Sequence, residues 1–449
     1  MLIEFSVANF RSIRDRQTLS LVASNKEKDL PENLVKPDAP GLGKTQLLKS
    51  AAIYGANASG KSNLYQAVGF MQGFVENSAA RLKPGESTGV VPFRLDAESS
   101  KKPSEFEVLF VHEGVRYQYG FTLDRDRVYT EWLTAYPLGK PQSWFHRHFD
   151  SETKEYGWEF GQKLTGDKQA VAKSTRDNGL FLSTAAQLNH DQLKVVYEWF
   201  TKHLIVIDFA QVPLPVSLEI AAKIAHDRAE ERERMISLLK QADLGILAFD
   251  VQTRSIGDMF SDGDRSAGEP LDKELRDAFK RVLSLMEEKA ARKGEKLEIE
   301  RTELQWHHKS EGDSQALTFH SSDESAGTLK FFSLLGPWLA VLNAGGVLFV
   351  DEIAAYMHPL LVRNLLGLMQ DPKWNPQGAQ LIFTTHDVTL LDTVLFRRDQ
   401  IWLTEKDNGG ATALYPLTDF NPRKGEALQK GYLAGRYGGI PFIQGDFSF

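Results

Sequence analysis

The run Gly55-Ala-Asn-Ala-Ser-Gly60-Lys61-Ser62 constrains this chain more than any other, because G-x-x-x-x-G-K-[ST] functions in one backbone setting. Its glycines let the chain curl so that successive N–H groups face phosphate oxygens. A helix must follow, so that its N-terminus adds partial positive charge. Both flanks meet the requirement. Ala51 to Tyr54 is a short apolar run that reads as a strand, and Asn63 to Glu76 has helical spacing in Leu64, Val68, Met71 and Val75. In that setting Gly55, Asn57, Ser59, Gly60 and Asn63 belong to a phosphate cradle for ATP. Lys61 reaches the β and γ phosphates, and the Ser62 hydroxyl ligates Mg²⁺. A second GKT, in Gly41-Leu-Gly-Lys44-Thr45, has Asp38 where the first glycine should stand and no apolar strand before it, so it reads as a loop.

Two later runs end where such a loop needs polar groups. Leu348-Phe349-Val350-Asp351-Glu352 is an apolar strand closing on two carboxylates. By itself that is a strand meeting solvent. Beside a phosphate loop, Asp351 is placed to hold the Mg²⁺ shell and Glu352 to polarise the attacking water as a general base. Thr384-Thr385-His386-Asp387 closes another apolar strand, and a histidine at that tip is placed to hydrogen-bond the γ-phosphate and sense its loss. Ser325-Ala326-Gly327-Thr328 precedes a long helical pattern, Leu329 to Leu342. The serine reads as an N-cap, and the same helix start is an anion site.

The rest of the chain supports an α/β reading. LIEFSVANF alternates like a half-buried strand, and residues 25–49 read as a loop. From about 90 to 160, runs such as FEVLFVHEG and VRYQYGFTLD predict an antiparallel sheet beside the first element. GLFLSTAAQLNHDQLKVVYEWFTKH predicts a helix leading into a strand, LIVID. Helical stretches around 216–241 and 271–294 flank a turn-rich SDGDRSAGEP, and their mixed charges read as solvated faces too short for a long arm. GGVLFVDE and AQLIFTTHD read as buried parallel strands. The expected partition is an N-terminal part over 1–180 with the phosphate loop and an antiparallel β subdomain, a helical insertion lobe over 181–300 and a C-terminal part over 301–449 with the Ser325 run, the DE strand and His386. Composition narrows the class. The absence of cysteine excludes disulfides and Cys-based zinc sites. The net charge of −7, from 53 basic and 60 acidic residues, is not that of a polycation seeking nucleic acid. No apolar run is long enough to span a bilayer, and the N-terminus does not read as a signal peptide, so a cytoplasmic protein with no membrane partner is expected.

Taken in order, the four motifs resemble the ABC-ATPase head family that includes SMC and RecF proteins, whose phosphate loop takes a GxNxSGKSN form. Asn9-Phe10-Arg11-Ser12 looks like the strand end that precedes that loop. More closely, LFLSTAAQLN, ESAGT, FVDEIAAYMHP, TTHD and YLAGRYGGIP look like the AAA-type ATPases of bacterial defence loci, among them RloA-like and PARIS-type ATPases and the ATPase part of OLD-type proteins. The resemblance implies an ABC-ATPase head with a mixed parallel core sheet, an antiparallel β subdomain and a helical insertion lobe. It implies an ATP-driven homodimer or higher homo-oligomer in which Ser325, Gly327 and Thr328 grip the nucleotide of the opposite protomer. His358-Pro359 then belongs to a loop communicating between protomers, Gln187 couples Mg²⁺ to the helical lobe, and Arg11 approaches the nucleotide. The signature reads SAGT rather than the SGGQ of transporters, which agrees with the defence-type group.

Function divides three ways. The first is a sensor or scaffold in anti-phage defence, acting with a separately encoded effector. OLD-type nucleases carry a further Toprim domain, for which the 63 residues after His386 (387–449) are too few, and these residues hold no compact acidic cluster for two-metal chemistry. The second is a RecF-like DNA repair ATPase, leaving DNA open as a ligand, but RLK at 81–83 and ARKGEK at 291–296 are too scattered to establish a basic surface. The third is a nucleotide-gated scaffold without turnover, which the presence of Glu352 opposes. A zinc enzyme is set aside, because His307-His308 is adjacent rather than suitably spaced. Trp144 and Phe145 read as core rather than as a partner surface.

Overall fold

A computed structural model describes residues 1–207, 214–255, 300–309 and 317–441. It divides into two compact units: Met1–Asp208 with Ala340–Ala355 and Val362–Phe449, and Phe209–Leu339 with Tyr356–Leu361. Residues 181–207, expected in the helical lobe, fall in the first unit, as do 362–449.

The first unit holds two large sheets and a small antiparallel pair of β3 (Leu34–Val35) and β4 (Leu47–Leu48) within the expected 25–49 loop. Strands β1 (Leu2–Ala8), β2 (Gln17–Ser20), β6 (Ser104–His112), β7 (Val115–Leu123), β8 (Val128–Tyr136), β9 (Gln142–Phe149) and β10 (Tyr156–Phe160) form an antiparallel sheet in the order β10-β9-β8-β7-β6-β1-β2. The expected antiparallel sheet is therefore continuous with the first element, because β1 pairs directly with β6. The second sheet orders as β11-β15-β16-β5-β17-β18, from β5 (Ser50–Gly55), β11 (Leu204–Ile207), β15 (Val347–Val350), β16 (Gln380–Thr384), β17 (Ile401–Lys406) and β18 (Thr412–Pro416). Its first five strands run parallel and only β18 is antiparallel, so the sheet is mixed. Strands β5, β15 and β16 are buried along their whole length, which explains their apolar runs.

The helix α1 (Lys61–Asn77) buries Leu64, Val68, Met71 and Val75 in one core with inward residues of the antiparallel sheet. Phe10, Phe70, Phe74, Phe106 and Phe121 form a chain of ring contacts there, at 5.0 to 5.6 Å. Each buried phenylalanine contributes about 1.5–3 kcal/mol. Trp144 and Phe145 are buried in the same core, as expected. On β8 the wholly buried Glu131 accepts hydrogen bonds from the Phe181 and Leu182 amides (2.6 and 3.0 Å) and from the Tyr119 hydroxyl. That carboxylate satisfies the start of α3 (Phe181–Gln187).

The single helix expected after Asn178 is interrupted. Asn189 takes φ +56, and the His190 ring accepts a 3.4 Å bond from the Leu193 amide, starting α4 (Asp191–Glu198) anew. The loop bearing Lys44 and Thr45 is a turn, with Gly41 close against Gly139.

In the second unit α5 (Leu214–Asp227) and α6 (Ala229–Gln241) cover the 216–241 expectation, split at Arg228, whose φ of −136 leaves the helical region. They accompany a three-stranded antiparallel sheet of β12 (Ile246–Ser255), β13 (Glu300–His308) and β14 (Leu317–His320). The expected helix at 271–294, the turn-rich 261–270 and the basic run 291–296 lie outside the described residues. The helix α7 (Ala326–Ala344) has Ala326–Leu339 in the second unit and its end in the first. Among the described residues, no helix is long and apolar enough to cross a membrane.

Candidate nucleotide site

The phosphate loop joins β5 to α1 in the expected setting. Gly55 and Gly60 are locked in place by neighbours rather than merely flexible. A Cβ on Gly55 would lie 2.3 Å from the Thr404 hydroxyl, and one on Gly60 would lie 2.0 Å from that of Thr412. Gly60 also holds φ +110, which side chains strongly resist. Thr404 on β17 hydrogen-bonds the Ser59 hydroxyl at 2.6 Å, and Thr412 on β18 donates to the Ser59 carbonyl at 2.9 Å. Asn63 donates to the Ser12 hydroxyl at 2.6 Å, and Ser12 bonds Thr412 at 2.7 Å. Arg11, with φ +52 and an exposed side chain, is therefore one residue from a direct contact with the first turn of α1. The late YLAGRYGGIP segment reaches the same loop: Gly439 approaches the Gly55 Cα, and Tyr432 packs edge-on against Tyr54.

Lys61 is buried, and its ammonium donates back to the Gly55 and Ala56 carbonyls at 3.0 and 3.2 Å. Burial pulls its pKa below the usual lysine range, while the charges of Glu352 and Asp351 oppose that shift. Asn57 and Ser62 are exposed, the latter in the first turn of α1.

Strands β15 and β16 deliver the other groups. Thr384 at the end of β16 donates to an Asp351 carboxylate oxygen at 2.5 Å and accepts from the Glu352 amide at 2.9 Å. One hydroxyl thus orients both acids. Glu352 adopts φ +50, an uncommon left-handed conformation for a side-chain-bearing residue, which turns it off the strand line. His386 Nε2 lies 3.0 Å from the Lys61 ammonium and 3.1 Å from a Glu352 carboxylate oxygen. Protonated, that nitrogen donates to Glu352; unprotonated, it accepts from Lys61. The structure therefore brings Lys61, Asp351, Glu352 and His386 together.

The donor set suits Mg²⁺. The Ser62 hydroxyl and the Asp351 carboxylate are hard oxygen ligands, the kind this ion takes with several waters. Gln187 does not join them. It is exposed at the end of α3, and α3 is tied to the far end of α1 through the Ser183 bond to the Val75 carbonyl. About 20 Å of helix, at 1.5 Å per residue, separates that point from Lys61. The assignment of Gln187 to the metal is corrected accordingly.

The signature residues form a separate local arrangement in the second unit. The Ser325 hydroxyl accepts from the Thr328 amide at 3.1 Å and bonds the Thr328 hydroxyl at 2.9 Å, capping α7. Ser325 is exposed. A Cβ on Gly327 would lie 2.5 Å from the Tyr356 carbonyl, so the loop that carries His358 can pass close only to a glycine. Sequence reasoning missed Thr404, Thr412 and the positioning hydroxyl of Thr384. Thr404 and Thr412 are lone threonines that only strand pairing brings to the loop, and Thr384 stood in the TTHD run without a role of its own.

A family model described as "AAA domain, putative AbiEii toxin, Type IV TA system" matches residues 50–392, from the strand before the phosphate loop to just past His386. The chain belongs to this family. It is an ATPase-type AAA domain, with its nucleotide motifs inside the matched span. No curated protein matches it. Similar solved structures include an SMC head bound to the C-winged helix domain of ScpA, 13% identical with a TM-score of 0.39, covering 93% of this chain and 98% of that one. Another is the SMC head domain from Thermotoga maritima, 13% identical with a TM-score of 0.35, covering 92% and 98%.

Proposed function

We propose that this AAA domain binds and hydrolyses Mg-ATP, self-associates on nucleotide, and serves as sensor or scaffold in anti-phage defence with a separately encoded effector. The observation that carries the hydrolytic part is that Lys61 and Glu352 each lie within 3.1 Å of the His386 ring at the phosphate loop. The backbone amides of the loop and the α1 N-terminus bind phosphate oxygens. Lys61, released from the loop carbonyls, neutralises phosphate charge. Ser62 and Asp351 would hold Mg²⁺, which when bound polarises the phosphoryl oxygens. Glu352 takes a proton from the attacking water, and His386 orients Glu352 and reports on the occupant of the loop.

The exposed cap at Ser325 supports self-association. In this reading Ser325 of the partner subunit, with its α7 N-terminus, completes each nucleotide site. The defence role is supported by the family description, which names a putative toxin of a type IV toxin–antitoxin system.

The test measures phosphate release by the purified protein and the mass of Glu352→Gln by light scattering with and without Mg-ATP. Release by wild type and an ATP-dependent rise in protomer number are expected. A protein that hydrolyses but stays monomeric would remove the composite site; absent hydrolysis would reduce the function to nucleotide binding. Salt-sensitive DNA binding by the isolated chain would favour a RecF-like repair role over the defence reading.

A further inference from the structure

A second cluster of ligating side chains lies on the outer face of the antiparallel sheet. His146 and His148 stand two residues apart on β9 and so share a face, while Phe145 and the buried Arg147 point the other way. Across the ladder, Glu159 of β10 pairs with His146, and Gly157 pairs with His148. One ligating atom from each of His146, His148 and Glu159 lies within 4.8 Å of the others.

Three features favour a ligand over a chance grouping. Among the described residues, the structure gives none of these three side chains a hydrogen bond or ion pair. The two imidazoles lie side by side, 5.7 Å between centroids and 25° between planes, so a modest rotation turns a nitrogen of each toward one point. The neighbours also leave that point open. A Cβ at Gly157 would sit 2.2 Å from the His148 ring. On the β8 side, Trp132 leans onto Gly120 and donates to Glu107, while Thr130 bonds Thr122. Both β8 side chains that pair with the histidines are thus engaged away from β9.

We infer that His146, His148 and Glu159 form a binding site for a zinc-class divalent cation, distinct from the Mg²⁺ expected at the phosphate loop. Two imidazoles and a carboxylate suit Zn²⁺, Co²⁺ or Ni²⁺, whereas Mg²⁺ prefers oxygen alone. A tetrahedral ion at about 2.0–2.1 Å from each ligand brings the ligand atoms to about 3.4 Å apart, a contraction within side-chain reach. Solvent fills the open position, since β10 is the sheet edge. The bound ion clips this five-residue edge strand to β9.

The experiment uses the full chain without an affinity tag, stripped by chelator and titrated with ZnCl₂ by calorimetry. One saturable equivalent is expected, undisplaced by excess Mg²⁺. Co²⁺ in its place should give the visible absorption of a low-coordinate site. His148→Ala should weaken Zn²⁺ binding by roughly a hundredfold, since losing a direct ligand exceeds the ~10–100-fold cost of losing an outer partner. Glu159→Gln, a milder change at the exposed edge, should weaken it and abolish the Co²⁺ spectrum, with ATP binding by each variant reporting the fold. Hydrogen exchange should slow along β9 and β10 on loading. Wild-type protein that takes up no zinc overturns the site. So does wild-type affinity in both variants, or uptake without slowed exchange on those strands, which would assign the metal to other histidines.

Discussion

Two helix N-termini in this chain are suited to phosphate, and they are built by opposite means. The start of α1 is fixed from a distance. Ser12, Thr404, Thr412 and Gly439, dispersed over most of the sequence, all converge on residues 55–63. The start of α7 is fixed locally, by its own Ser325 and Thr328 and by the close carbonyl of Tyr356 at Gly327. Lys61 is buried within the first, whereas Ser325 and Ala326 are exposed in the second. The difference separates a phosphate cradle shaped by distant parts of its own unit from an exposed helix start that, in the proposed reading, serves a second copy of the chain. Substitutions at the two ends should therefore fail in different ways.

The largest effect belongs to Glu352. In Glu352→Gln, phosphate release should fall by about 10²–10⁴, the usual worth of a positioned general base. Nucleotide affinity, measured by calorimetry, should be unchanged. Unaltered turnover would take the base role from Glu352 and leave the α1 side as a binding site only. Next comes Lys61→Ala, which removes a buried cation whose bonds to charged groups are each worth about 1.5–3 kcal/mol. Affinity for ATP should drop by roughly 10–100-fold, and turnover with it. Retained affinity would mean that the loop amides suffice.

Ser325→Ala should behave otherwise. It removes a cap worth about 1 kcal/mol of helix stability, and turnover should fall by about tenfold while nucleotide affinity stays put. A fall in affinity of the monomer would break the comparison, because it would make the α7 start part of the same site. Gly327 is a poorer probe: its Cβ would collide with the Tyr356 backbone, so loss of activity there would not separate contact from misfolding.

What was legible in the sequence follows the same division. The phosphate loop, the DE strand and the TTHD strand were readable because each is a contiguous run whose chemistry and secondary structure coincide. That β15 and β16 are buried strands of a parallel sheet was readable from their apolar runs. The supports were not. Thr404 lies 345 residues from Ser59, and nothing in LTEK marks it, since strand register alone brings the two together. The break at Asn189 was missed because helical spacing runs on through it; only the left-handed backbone and the His190 cap reveal the second helix. Gln187 was expected at the metal from the family resemblance alone, yet the hydrogen bond of Ser183 carries α3 to the far end of α1.

The smallest effect tests whether distant support matters at all. Thr404→Val keeps the shape of the side chain but removes the hydroxyl shared with Ser59 and the bond to the Tyr54 carbonyl. The Ser59 hydroxyl then stays buried with one partner fewer, at a cost of about 1 kcal/mol. If that cost falls on the closed shape of the loop, ATP affinity should weaken about fivefold with turnover at saturation unchanged. If the loop holds its shape without this bond, affinity will match wild type. The contrast between the two helix starts would then rest on glycine geometry at Gly55 and Gly60 rather than on the threonines that surround them.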